Sequence, residues 1–98
     1  MYLIREVFDA KPGKAKDLVK MFKLAGVEFE KTGEVKAMKV MTDAVGKYWT
    51  VVVEMETDDI GKFFGNLRSS AMTPELQNIM KGYMECVEGG HREIFILE

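Results

Sequence analysis

Apolar positions along this chain follow two periods, and the switches between them mark a succession of strands and helices. Tyr2 to Phe8 is rich in β-branched and aromatic residues and stops at Asp9-Ala10-Lys11-Pro12-Gly13, which predicts a strand closed by a turn. From Gly13 to about Lys31, Ala15, Leu18, Phe22, Ala25 and Phe29 recur at spacings of three and four, with Met21 in the same stripe. That is the period of a helix buried on one side. Lys16, Lys20 and Lys23 fall off the stripe and are expected to face water. Gly26 weakens the helix by up to about 1 kcal/mol relative to alanine, and Thr32-Gly33 is the expected stop.

Glu34 to Thr42 mixes charged and apolar residues without strict alternation, which suits a half-buried strand near a sheet edge. Asp43-Ala44-Val45-Gly46 is short enough for a hairpin loop. Lys47 to Thr57 carries Tyr48-Trp49-Thr50-Val51-Val52-Val53, the densest β-forming stretch, and predicts a central strand. Thr57 or Asp58 can cap the next helix, where Ile60, Phe63, Phe64 and Leu67 fall at i, i+3, i+4 and i+7. Thr73-Pro74-Glu75 opens another stripe of Leu76, Ile79, Met80, Tyr83, Met84 and Val87, with Gly89-Gly90 as its expected end. His91 to Glu98 then sets Ile94 and Ile96 on one strand face against Phe95 and Leu97 on the other.

The order strand, helix, strand, strand, broken helix, strand predicts one α+β domain over residues 1–98, a ferredoxin-like βαββαβ fold with a four-stranded antiparallel sheet. Right-handed crossovers place both helical layers on one sheet face. The other face, expected to carry residues such as Val52, Ile94 or Ile96, has no cover within the chain. A second copy of the same sheet is the simplest cover, so a homodimer is expected.

Composition narrows the partners. Fourteen Lys+Arg against sixteen Asp+Glu give a net charge of -2, without the basic excess that nucleic-acid binding requires. The longest charge-free stretches, Tyr48 to Val53 and Ser69 to Pro74, fall far short of a membrane span. The opening Met1 to Glu6 does not resemble a secretory leader, and a cytoplasmic location is the expectation. Cys86 and His91 are the only cysteine and histidine, too few for a usual zinc site, so no metal and no cofactor is expected. Phosphate-binding glycine loops, Gly-x-Ser-x-Gly and His-Glu-x-x-His are all absent from the sequence.

Ile4-Arg5-Glu6-Val7-Phe8 followed by Lys11-Pro12-Gly13-Lys14 resembles the first strand, Pro-Gly turn and helix start of dimeric α+β-barrel proteins, including NIPSNAP-like and antibiotic-biosynthesis-monooxygenase-like domains. Gly90-His91-Arg92-Glu93-Ile94-Phe95 is similar to the Gly-x-Arg-Glu segment opening the last strand of NIPSNAP-like members, and Tyr48-Trp49 to Met55 is similar in character to their central strand. The resemblance implies two sheets packed face to face into a barrel, with a pocket within it or between each sheet and its helices. Across that superfamily it implies chemistries from cofactor-free oxygenation of polyketide-like aromatics to haem degradation, haem peroxidation and muconolactone isomerisation, alongside many members without known chemistry. The Asn, Trp and His constellation of haem-degrading members is not matched by Trp49, Asn66, Asn78 and His91.

Strand parity puts Tyr48, Thr50, Val52, Glu54 and Glu56 on one face and Trp49, Val51, Val53 and Met55 on the other, the better core face. Glu54 then points to the dimer side, where it needs a partner such as Arg5. Arg5 and Tyr48 are candidate ligand-binding residues, with Glu54 or His91 as proton acceptor and Arg5 holding an anionic oxygen. The plainer reading is an Arg5–Glu54 ion pair fixing the barrel, His91 at the surface and Trp49 in the core. Eight methionines suit core filling, or a site adaptable to varied apolar ligands. The expected function is a homodimeric barrel that binds a small, largely apolar molecule. The alternative is a cofactor-independent monooxygenase or isomerase acting on an aromatic or lactone-like substrate.

Overall fold

Strands β1 (Tyr2–Ala10), β2 (Lys36–Thr42), β3 (Thr50–Thr57) and β4 (Val87–Ile96) pair antiparallel into one sheet in the order β2-β3-β1-β4. Helix α1 (Ala15–Lys31) connects β1 to β2, and α2 (Ile60–Ser69), α3 (Pro74–Ile79) and α4 (Tyr83–Cys86) lie between β3 and β4. The chain is thus a ferredoxin-like α+β fold. This computed structural model describes residues 1–69 and 73–98, and the Leu67 side chain of the predicted stripe lies outside what is described.

Burial alternates along β3: Val51, Val53, Met55 and Thr57 are buried, while Thr50, Val52, Glu54 and Glu56 are half-exposed. The first set faces the helices, and its Val51, Val53 and Met55 join Ile4, Leu18, Phe22, Val35 and Cys86 in the core. Full burial of an aliphatic side chain such as Ile4, Leu18 or Val51 contributes about 1.5–3 kcal/mol. Phe8, Phe22 and Tyr83 add a ring cluster, with Phe8 and Phe22 centroids 4.6 Å apart. Gly26 is buried on α1, and a Cβ there would lie 3.2 Å from the Met38 thioether. The glycine that weakens the helix locally lets β2 approach it.

Several boundaries differ from the sequence reading. β3 begins at Thr50, and Trp49 just before it turns the chain out of the ladder at a left-handed φ of +62°. Tyr48 and Trp49 therefore belong to the β2–β3 loop. The stripe from Leu76 to Val87 is broken by Gly82, at φ +86°, into α3 and α4. Gly89 and Gly90 do not end a helix; they pair with Asp9 and Phe8 inside β4, so His91 lies within that strand and does not open it. A Cβ at Gly90 would collide with the Val7 carbonyl oxygen. At α2, Asp59 accepts the Lys62 N–H, while the Thr57 hydroxyl bonds the Glu34 carbonyl oxygen. The start of α3 follows its pattern, with the Thr73 hydroxyl accepting the Leu76 N–H ahead of Pro74.

Register decides the uncovered face. Ile94 pairs with Ile4 and Ile96 with Tyr2, which puts both isoleucines at helix-side parity; Phe95, opposite Leu3, takes the uncovered side with Val52.

Candidate functional site

The uncovered face is organised in rows across the sheet. Lys39, Glu54, Arg5 and Glu93 stand in register on β2, β3, β1 and β4, alternating in charge. Arg5 donates through Nε and Nη2 to Glu54 Oε2 at 2.9 and 2.8 Å, and Nη1 lies 3.4 Å from Glu93 Oε1. The His91 Nε2 is 3.4 Å from the other oxygen of Glu93. The hydrogen bond to Glu54, followed by the charges of Glu54 and Glu93, outweighs desolvation and raises the Arg5 pKa above its ordinary value. The neighbouring row is apolar, running Met41, Val52 and Val7 to His91. Leu3 and Phe95 sit on the far side of the charge row, and the Arg5 guanidinium lies 5.5 Å from the Phe95 ring centre.

The structure thus brings Arg5, Glu54 and His91 onto one face and adds Glu93 as the residue linking them. Tyr48 is not among them. It is 83% exposed in the β2–β3 loop, because the strand parity that placed it beside Glu54 stops at Thr50. Trp49 is 43% exposed and is not a core residue.

A second polar group lies on the helix side. Ile4, Glu6 and Phe8 share one face of β1, so Glu6 projects toward the helices at a position whose neighbours are core. Arg92, its partner on β4, donates to the Glu6 carboxylate and spreads over Phe63 and Phe64, 5.9 and 5.8 Å from the ring centres. The Tyr83 phenol packs against Phe8 nearby; burial first, and the Glu6 charge second, raise its pKa. These groups border an open cleft of about 390 Å³ whose walls include Glu6, Phe8, Tyr83, Met84 and Arg92, with His91 among the lining residues. The arrangement offers one carboxylate to accept a proton, one phenol held protonated to donate one, and a guanidinium suited to an anionic oxygen. Sequence reasoning passed over Glu6, although a charged residue at the core parity of a strand is itself a signal.

Among the described residues, no cluster of three or more His, Cys, Asp or Glu is placed to hold a metal ion. No helix among them is long and apolar enough to cross a membrane.

No family model matches this sequence, and no curated protein matches it. The fold, in contrast, is shared with solved structures. An uncharacterized NIPSNAP domain protein from Burkholderia xenovorans superposes with a TM-score of 0.77 at 16% identity, covering 100% of this chain and 95% of its own. A NIPSNAP family protein of unknown function from Agrobacterium tumefaciens gives 0.75 at 14% identity, covering 97% and 86%. A candidate antibiotic biosynthesis monooxygenase from Nitrosomonas europaea gives 0.76 at 9% identity, covering 99% and 98%. The chain therefore has the NIPSNAP-like and antibiotic-biosynthesis-monooxygenase-like fold.

Proposed function

We propose that this chain forms a homodimer in which two uncovered sheet faces pack into a barrel, and that each subunit binds a small, largely apolar molecule in the helix-side cleft. The observation that carries the dimer is the uncovered face itself, where Leu3, Val7, Met41, Val52 and Phe95 flank the Glu54–Arg5–Glu93 ion pairs. Apolar strand positions of that kind lose free energy while they face water, and a second copy supplies the complementary surface. Arg5 and Glu54 serve this interface: their charges are already paired, so neither of the two meets the facing sheet as an isolated charge. The cleft contributes apolar walls from Phe8 and Met84 with a few polar groups, the usual composition of a small-molecule site. A cytoplasmic setting is part of the reading.

The test is native mass spectrometry of freshly purified protein. The expected mass is twice that of the 11.1 kDa chain, with an additional small species per subunit. A monomer overturns the dimer, and a dimer that carries nothing and accepts no apolar probe overturns the ligand.

The enzymatic alternative, a cofactor-independent monooxygenase or isomerase, gains a specific footing from Glu6, Tyr83 and Arg92 converging on the cleft. Glu6 then accepts the proton, while His91 stays on the uncovered face beside Glu93 and Glu54 keeps its structural pairing with Arg5. Under that reading Glu6→Gln abolishes turnover of the co-purified species while the dimer mass is retained. Loss of activity in Glu54→Gln without loss of the dimer would instead place the base on the uncovered face.

A further inference from the structure

On the uncovered face Arg5 serves two carboxylates unequally. Glu54 receives two of its N–H donors, at 2.8 and 2.9 Å, whereas Glu93 is reached only by Nη1 at 3.4 Å. Beside Glu93 on the same strand stands the His91 imidazole, its Nε2 3.4 Å from Glu93 Oε2. Building on the face-to-face dimer, on which this inference rests, we propose that dimerisation takes up a proton at His91 of each subunit, so that association tightens as the solution is acidified.

His91 pairs with Val7 and closes the apolar row that begins at Met41. The charged groups around it on this face are few. Glu93 lies two residues along β4, and Arg5 and Asp9 flank Val7 on β1, with Asp9 held by Lys47 at 3.0 Å. Glu88, in the register shift facing Asp9 and Ala10, adds a carboxylate farther back along β4. Arg92 turns to the helix side, where it engages Glu6. Lys39, the other cation of the charged row, is separated from Glu93 by β3 and β1. Among the described residues of one subunit, His91 is thus the group placed to complete the charge balance at Glu93 that Arg5 leaves unfinished.

In a separate subunit the His91 and Glu93 side chains are 60% and 39% exposed, so water stabilises the carboxylate without a second cation. A facing sheet removes that water. Leaving a carboxylate desolvated and incompletely paired is costly, and attraction across a contact of this length grows as the dielectric falls. Imidazole is the side chain that acquires a charge near neutral pH. Glu54 and Glu93 then meet two cations, Arg5 and protonated His91. The sign follows from linkage: a proton bound more tightly by the dimer favours association at low pH, and that contribution is lost as pH rises and the dimer releases it. Two-fold symmetry makes it two protons per dimer.

The experiment is sedimentation equilibrium of the full chain between about pH 8 and about pH 6, for the wild type, His91→Gln and Glu93→Gln. Approach to the isoelectric point near 5.5 weakens repulsion between subunits in all three, so the diagnostic quantity is the part of the slope that the variants remove. The wild-type association constant should rise roughly fivefold or more over this range beyond the rise in His91→Gln. Glu93→Gln should show the same flat response as His91→Gln and remain dimeric at the upper pH, where it no longer buries the carboxylate. A wild-type constant that is unchanged or falls on acidification, or a slope that survives in His91→Gln, overturns proton uptake and leaves the dimer standing. A monomer at every pH overturns the dimer, and proton uptake with it.

Discussion

Arg5 answers two carboxylates at once, and the consequences of removing either side are unequal. Glu54 is the less exposed partner, at 16% against 37% for Arg5. Arg5→Met leaves the Glu54 carboxylate half-buried without its donor, whereas Glu54→Gln leaves Arg5 with Glu93 and with water. In urea denaturation Arg5→Met should therefore lower stability by about 1–2 kcal/mol, and Glu54→Gln by about 1 kcal/mol or less because solvent screens the guanidinium. A larger loss from Glu54→Gln would contradict this ordering. On the other side of the sheet, Tyr83 holds its proton beyond the ordinary value of 10.0, because burial and then Glu6 disfavour the phenolate. The unfolded chain releases that proton first as pH rises. The stability contributed by Tyr83 is therefore whole below about pH 10 and is lost as pH climbs through its raised folded value. Urea midpoints between roughly pH 9 and 11 should fall less steeply for Tyr83→Phe than for the wild type.

Three glycines show how differently the elements use the same residue. Gly90 lies where a side chain would strike the Val7 carbonyl, so Gly90→Ala must push β4 from β1 and should cost about 2–3 kcal/mol. Gly82, at φ +86° between α3 and α4, should cost about 1 kcal/mol as alanine. Gly26→Ala should be close to neutral, since the gain in helix propensity offsets a contact that the flexible Met38 thioether can relieve. Thermal denaturation of the three variants checks the order. The same residues show what the pattern could reveal. The alternation of Val51, Val53 and Met55 was enough to assign the core face of β3, because burial has the same period as the strand. Gly89-Gly90 was misleading, because glycine marks both a helix end and a close strand approach, and only the position of Val7 distinguishes them. The face of Ile94 is hidden from the sequence for a related reason: alternation separates two faces, but pairing with Ile4 decides which one is the core. The Arg5–Glu54 pair is legible from charge and parity, whereas the pattern extends the strand over Tyr48 and Trp49 because β propensity does not register a left-handed Trp49. Glu6 required reading a charge against its apolar neighbours Ile4 and Phe8.

At the scale of the molecule, the sheet has one face filled by helices and one face with no cover among the described residues, and adjacent residues of β3 test them separately. Val53 is buried on the helix side, while Val52 stands on the uncovered side between Val7 and Met41. In an isolated subunit Val52→Asp places a carboxylate in water and costs little. In a face-to-face dimer the same carboxylate is desolvated within the central apolar row without a cation of its own. Val53→Asp, by contrast, puts the charge into the core and should unfold the chain whatever its oligomeric state. Analytical ultracentrifugation and circular dichroism should accordingly show Val52→Asp folded and monomeric, with the self-association constant lowered at least about 30-fold, a change of about 2 kcal/mol. A folded Val52→Asp dimer as tight as the wild type would mean that the two subunits meet elsewhere, because no packing of the two uncovered faces leaves their central row in water.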